Sequence, residues 1–305
     1  MRLDKDLKIF EKYVNQTSVF FDIHREYVEK DYWLSLILKS IISKNLGYVF
    51  KGGTSLSKCF HLINRFSEDI DISYSKSRDE SKTGELERKF RGIITSVNEV
   101  GLEIENKDKL RRRAYFNQYL CPYPSLFSEN SIEKKVVIEL AGQTPSFPVI
   151  ETSIQTFIGQ YLDSINRHDL VEQYELEPFK VVTQSLDRTL IDKTFAICDY
   201  YISGNCEKHS RHLYDIYKIL PNIKLDSELA NLFLRVKEYR DKIRVCLSAR
   251  DGIKLNQLMK AIIDRDSYKE DYVSNTTLLL YDKVDYKDAI KALIELQKFL
   301  EDYNL

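Results

Sequence analysis

The chain has 305 residues, enough for one large domain or two modest ones with a buried core, and it needs no disulfide staples to fold. Its hydrophobic fraction is 43% and its charged fraction 30%, with 10 Gly and 6 Pro, which excludes a disordered chain and a collagen-like repeat. The 46 Lys and Arg against 47 Asp and Glu leave a net charge of −1, so no global basic field draws the protein onto nucleic acid and any such binding has to be local.

From Leu7 to Val28 the apolar residues fall in helical groups, and Asp31 is placed to cap a second helix running to about Lys44. Tyr48, Val49 and Phe50 lie between Gly47 and Gly52-Gly53, which predicts a strand ending at a glycine turn, followed by a helix from Thr54 to about Leu62. Asp69-Ile70-Asp71-Ile72-Ser73-Tyr74 alternates polar and apolar residues, so it reads as a strand with its carboxylates on one face. A polar loop over Ser75 to Ser81 leads to a helix from Glu85 to Val100. Leu102 to Glu105, Ala114 to Leu120 and Lys135 to Leu140 read as extended.

After Pro145 and Pro148 the strand signal fades apart from Phe179 to Val182. Helical patterns follow at Ser185 to Ile202, His209 to Leu220, Ser227 to Cys246, Leu255 to Asp264 and Tyr286 to Tyr303. The fold class expected is α+β: a mixed-sheet domain with N-terminal helices over residues 1–155, then a mainly helical domain over 156–305.

The cysteines, Cys59, Cys121, Cys198, Cys206 and Cys246, form no C-x-x-C pair and read as reduced thiols. The N-terminal MRLDKDLKIFEKYV lacks the apolar core of a signal peptide. Trp33 to Ile42 is interrupted by Lys39 and is too short to span a bilayer. A soluble, cytoplasmic protein with no membrane partner is expected.

The chemistry concentrates in FKGGTSLSKCFHLINRFSEDIDIS, Phe50 to Ser73. Glycines let the backbone approach a phosphate, and the free N–H groups of a first helical turn favour its charge. Thr54 and Ser55 offer hydroxyl donors beside Gly52 and Gly53. Asp69 and Asp71, two apart on a strand, share one side of the sheet and offer hard oxygen ligands to divalent cations. Either motif alone is weak, because glycine turns and D-x-D pairs are common; their order within one strand-turn-helix-strand unit points to phosphoryl or nucleotidyl transfer. GGTSLSK lacks the spacing of a Walker A loop, and no dinucleotide-binding G-x-G-x-x-G is present.

Lys193 falls within the apolar stripe of its helix with Leu186, Leu190, Ile197 and Tyr200. Burial of an ammonium calls for an anionic partner, unless the stem packs while the head reaches water. Two basic clusters, Arg111-Arg112-Arg113 with Tyr115 and Phe116, and Arg235, Lys237, Arg240, Lys242 and Arg244, suit either a nucleic-acid groove or a solvated face.

The pattern K-G-G-T-S-L, then R-F-S-E-D-I-D-I, then a lysine on a later helix and R-H-L-Y-D-I-Y, resembles the AbiEii/AbiGii toxin nucleotidyltransferases of the polymerase-beta-like superfamily. The resemblance covers about Asp31 to Tyr74 and Leu186 to Leu220. It implies a polymerase-beta-like nucleotidyltransferase domain with a mixed sheet, followed by a C-terminal helical bundle that contributes Lys193 and Asp215. It further implies that Gly52, Gly53, Thr54 and Ser55 bind nucleotide, that Asp69 and Asp71 hold magnesium or manganese, and that Lys193 grips the outer phosphates of an NTP.

Arg65 and Ser67 share the motif; Arg65 either contacts a phosphate or anchors the strand through Glu68. Asp215 is read as an acid orienting Lys193 or the acceptor hydroxyl, or as an i,i+4 partner of Arg211. Glu139 is read as a third carboxylate or as an edge-strand residue, and His212 as a surface or internally satisfied histidine. The implied role is that of the toxin in a toxin–antitoxin or phage-defence system, with a cognate antitoxin and tRNA or another RNA as acceptor. The alternatives are nucleotidyl transfer to a small molecule of the antibiotic type and a non-catalytic nucleotide-binding regulatory module.

Overall fold

The computed structural model describes residues 1–65, 67, 69–74, 83–111, 116–128 and 132–305. The chain divides into two compact units, one of Met1–Phe60, Ser67–Gln143 and Val149–Thr183, the other of His61–Phe66, Thr144–Pro148 and Gln184–Leu305.

The first unit is built on a six-stranded sheet of β1 (Tyr48–Lys51), β2 (Asp69–Tyr74), β3 (Phe116–Pro122), β4 (Lys135–Ala141), β5 (Val149–Ile154) and β6 (Phe179–Gln184), in the order β3-β4-β2-β1-β6-β5. The sheet is mixed: β1 pairs with β2 and β3 with β4 antiparallel, whereas β2 with β4 and β1 with β6 are parallel. Period-two alternation sends Ile70, Ile72, Val136, Ile138 and Leu140 into the core. There they meet α2 (Arg25–Ser43), through Leu34, Ile37, Leu38 and Ile41, and α4 (Thr83–Glu99), through Phe90, Ile93 and Val97. The same alternation turns Asp69, Asp71 and Glu139 to the opposite, half-buried face.

Helix α1 (Leu7–Phe21) ends at Asp22, whose left-handed backbone (φ 54°) breaks the helical run expected to reach Val28. Asp31 therefore does not cap α2 but sits inside it. Its carboxylate is spent on a buried pair with Lys58, from α3 (Gly52–Lys58), and on accepting the Phe157 N–H at 2.8 Å. That pairing fixes α3 against α2. Leu102–Glu105 forms no strand: Leu102 and Ile104 are core residues of an irregular segment, and the Glu105 N–H alone reaches the Leu120 carbonyl at 2.8 Å.

The sheet unit continues to Thr183, past the expected boundary at residue 155, because Phe50 of β1 pairs with Thr183 of β6. The intervening β5, α5 (Phe157–Ser164) and α6 (His168–Gln173) carry little sequence signal. Strand β5 is mostly exposed, so it lacks the alternation that marks a half-buried strand. Ser75–Ser81, Ala114 and Tyr115 lie outside the described residues.

The second unit is helical: α7 (Leu186–Ile202), α8 (Arg211–Ile219), α9 (Ser227–Asp241), α10 (Leu255–Asp264), α11 (Lys269–Ser274) and α12 (Tyr286–Asp302). Ser185 caps α7 by accepting the Arg188 N–H, and Asp226 caps α9. Helix α9 stops five residues short of the expected Cys246, and the chain beyond it brings the Ser248 N–H to Asp199 at 2.7 Å. Among the described residues no helix is long and apolar enough to cross a membrane.

Candidate active site

Gly52 opens α3 with φ +78°, a conformation that L side chains rarely adopt, and a β-carbon there would lie 1.9 Å from Asp71 Oδ2. Glycine is thus required both by the turn and by the carboxylate that fills the space beside it. The turn is tied to β2 by hydroxyls. Thr54 donates to the Asp69 carbonyl at 2.6 Å and lies 2.9 Å from Ser67 Oγ, while Ser55 donates to the Gly52 carbonyl at 2.8 Å. Thr54 and Ser55 are buried and both spend their hydroxyl protons inside the protein, Thr54 tying the turn to β2 and Ser55 closing the first turn of α3 onto Gly52.

Asp71 stands in register with Glu139 across the parallel β2–β4 pair, and Glu139 stands in register with Gln118 on β3. Gln118 Nε2 donates to Glu139 Oε1 at 3.1 Å. Asp69, Asp71 and Glu139 therefore share one face of adjacent strands. Burial first, and then the neighbouring charges of Asp71 and Asp69, push the Glu139 carboxyl up to about 7. Like charges pressed together on a half-buried face form an arrangement that a cation relieves.

The donors are all carboxylate oxygens, the chemistry that magnesium and manganese prefer. Among the described residues no three His, Cys, Asp or Glu side chains converge tightly enough to enclose a metal by themselves. A dyad whose metal shell is completed by phosphate oxygens and water is the pattern magnesium takes in phosphoryl-transfer sites, so the residues present fit the ion.

The second unit holds a separate polar cluster. Asp215 on α8 is fully buried and accepts a two-pronged bond from Arg65, Nε to Oδ1 at 2.7 Å and Nη2 to Oδ2 at 2.8 Å. Lys193 Nζ on α7 lies 2.7 Å from Asp215 Oδ2, with its side chain 11% exposed. Burial alone would raise the Asp215 carboxyl; the charges of Arg65 and Lys193 overcome it and hold the group well below the ordinary carboxylate range. Arg65 is thus the partner of a carboxylate distant in sequence; Glu68, its other expected partner, lies outside the described residues. The ion pairs of Asp215 are with Arg65 and Lys193 rather than along its own helix to Arg211.

The segment carrying Arg65 is held to the helices by more than this pair. The Asn64 N–H donates to Tyr214 Oη at 2.9 Å, the Tyr281 N–H donates to the Asn64 carbonyl at 2.7 Å, and Tyr214 Oη donates to Asp282 Oδ1 at 2.9 Å. His212, expected to be a surface or internally satisfied residue, places Nδ1 3.3 Å from Lys193 Nζ. The available signal was its position three residues before Asp215, which puts both on one helix face. Gln118 went unseen because a strand glutamine has no chemistry of its own until Glu139 is placed opposite it.

The basic clusters fare differently. Arg112, Arg113 and Tyr115 lie outside the described residues. In the second cluster Arg240 is tied to Asp192 and Asp199 and Lys237 to the Ile253 carbonyl, while Arg235 lies over Phe147 at 4.7 Å and Lys242 over Tyr239 at 5.8 Å.

A family model described as "Nucleotidyl transferase AbiEii toxin, Type IV TA system" matches residues 37–296. Among solved structures the chain is similar to JHP933 from Helicobacter pylori, at 17% identity over 89% of this chain and 91% of that one, with a TM-score of 0.41. A second H. pylori protein, provisionally described as a nucleotidyltransferase, is 15% identical over 88% of this chain and 92% of that one, with a TM-score of 0.40. No curated protein matches the chain. With the family pattern extending over most of its length and the D-x-D strand and glycine turn lying inside the matched span, this chain belongs to the AbiEii nucleotidyl transferase toxin family of type IV toxin–antitoxin systems.

Proposed function

We propose that the protein transfers a nucleoside monophosphate from an NTP to an acceptor hydroxyl in a reaction that depends on magnesium or manganese, with an RNA such as tRNA as acceptor and a cognate antitoxin restraining it. The observation that carries this reading is the register of Asp71 with Glu139 beside Asp69, on the face where Gly52 leaves room for the Asp71 carboxylate.

Asp69 and Asp71 would hold the cation, which when bound lowers the charge on the triphosphate oxygens. Gly52 and Gly53 present backbone N–H groups to phosphate, Thr54 with Ser67 keeps that turn fixed against β2, and Ser55 braces it from within α3. Glu139, already inclined to hold a proton, accepts the one leaving the acceptor hydroxyl. The acceptor oxygen bonds to the α-phosphorus as the bond to the β-phosphate bridging oxygen breaks, and pyrophosphate departs. Lys193 is assigned to the outer phosphates. Arg65, Lys193 and Arg211 bring more positive charge to their cluster than Asp215 cancels, which suits a polyphosphate.

The test is incubation of the protein with magnesium, each labelled NTP in turn and total RNA. Label entering RNA with wild type but not with Asp69→Asn or Asp71→Asn supports the reading; label entering equally with the variants overturns it.

A further inference from the structure

Lys193 is the one lysine of α7, and its ammonium is shared between two groups of α8: Asp215 Oδ2 at 2.7 Å and His212 Nδ1 at 3.3 Å. With Asp215 as counter-ion the ammonium can only donate, so Nδ1 has to be the acceptor and the imidazole proton sits on Nε2. The ring itself lies parallel to two neighbouring rings. Tyr200, two turns along α7, lies 6.0 Å from His212 with planes 8° apart, and Tyr200 in turn stacks on His209 at 3.4 Å and 9°.

We propose that His212 is a positioning residue for the nucleotidyl transfer: by accepting from Lys193 at Nδ1 it fixes, together with Asp215, two of the three ammonium protons and turns the third toward the triphosphate. This rests on the assignment of Lys193 to the outer phosphates. Asp215 alone would leave the ammonium free to rotate about a single strong contact; a second acceptor on the same helix, its ring lying beside and parallel to Tyr200, removes that freedom.

The charges around the ring agree with an acceptor role. Lys193 reaches it from α7, Arg65 from the segment before β2, and Arg211 and Asp215 from α8 itself; the rings of uncharged Tyr200 and of His209 lie parallel to it and to the side, at 6.0 and 6.3 Å. A protonated ring would add a cation to a cluster already rich in them, and burial followed by the Lys193 charge holds His212 well below the ordinary histidine range.

Titration calorimetry with magnesium and ATP, CTP, GTP or UTP tests this in wild type, Lys193→Ala, His212→Phe and His212→Asn, each checked for folding by circular dichroism. Phe keeps a flat ring without an acceptor; Asn keeps an acceptor oxygen near the Nδ1 position without the ring. His212→Phe is expected to weaken binding of the preferred triphosphate roughly tenfold, about the effect of one hydrogen bond to a charged group, with His212→Asn recovering to within about threefold of wild type. A His212→Phe protein that binds like wild type, or a His212→Asn protein as weak as His212→Phe, overturns the positioning role. Unchanged binding by Lys193→Ala overturns instead the phosphate assignment beneath it. Should His212→Phe fail to fold, nitrogen-15 imidazole spectra of the wild-type protein at neutral pH decide: a His212 ring protonated at Nε2 and bare at Nδ1 is expected, and one protonated at Nδ1 overturns the proposal.

Discussion

Gly52 and Asp71 compete for one volume: a β-carbon on the first would sit 1.9 Å from Oδ2 of the second. Gly52→Ala therefore has two effects. The alanine strains a backbone at φ +78°, costing about 1–2 kcal/mol of stability, and it pushes aside a carboxylate whose displacement by about 1 Å is enough to lose roughly a hundredfold in rate. Gly47→Ala supplies the control, since φ is +66° there but nothing lies within 4 Å. It is expected to lower stability by a similar amount while leaving pyrophosphate release intact.

The carboxylates of β2 and β4 are expected to respond differently to neutralisation. Asp71→Asn removes a proposed cation ligand, and the loss of several kcal/mol of charge stabilisation corresponds to roughly a thousandfold or more in rate. Glu139→Gln relieves crowding on that face, so the free protein melts no lower than wild type, while removal of the proton acceptor slows turnover by about 10²–10⁴-fold. Scanning fluorimetry and a coupled pyrophosphate assay check both; a Glu139→Gln protein that melts well below wild type contradicts the crowding.

Asp215 is fully buried between two cations, and its removal strands both. Asp215→Ala is expected to destabilise the protein by about 3–5 kcal/mol, the range for breaking a buried ion pair from one side. A double-mutant cycle with Arg65→Ala, read by urea unfolding, should show strong coupling, and additive losses would contradict a shared pair.

Two groups should weaken the fold in acid, in two stages, against the opposite contribution of Glu139. That carboxyl is pushed up to about 7 and so adds stability as pH falls from there towards its ordinary value. His212 lies well below its ordinary 6.5, so below pH 6.5 the unfolded chain takes up this proton first and its share of stability falls with falling pH. The slope for one such proton is at most about 1.4 kcal/mol per pH unit. Asp215 lies below its ordinary 3.8, so its contribution is complete above that value and is lost as pH drops beneath it. Urea unfolding from pH 8 to pH 4 is expected to lose the first stage in His212→Asn; an unchanged slope in that variant contradicts the burial of a neutral ring.

The parts of this molecule readable in advance are those where local chemistry and tertiary position agree. Strand β2 alternates because one face is core and the other carries Asp69 and Asp71, and α10 begins at Leu255 and ends at Asp264 as its periodicity indicates. Asp31 looked like a cap because an aspartate before an apolar stripe usually is one, but Lys58 and the Phe157 N–H claim it. Strand β5 is an exposed edge with no alternation to detect. In the site, Arg65 and Asp215 were visible as residues but not as a pair, because 150 positions separate them and only the docking of the segment around Asn64 onto α8 brings them together.

The claim on which the rest depends is tested most directly by magnesium-dependent pyrophosphate release from an NTP in the presence of RNA, comparing wild type with Asp71→Asn at matched folding. Release by wild type that stops with a chelator and is absent in Asp71→Asn is the expected result. Equal release by the two proteins, or release that persists without a divalent cation, would contradict it.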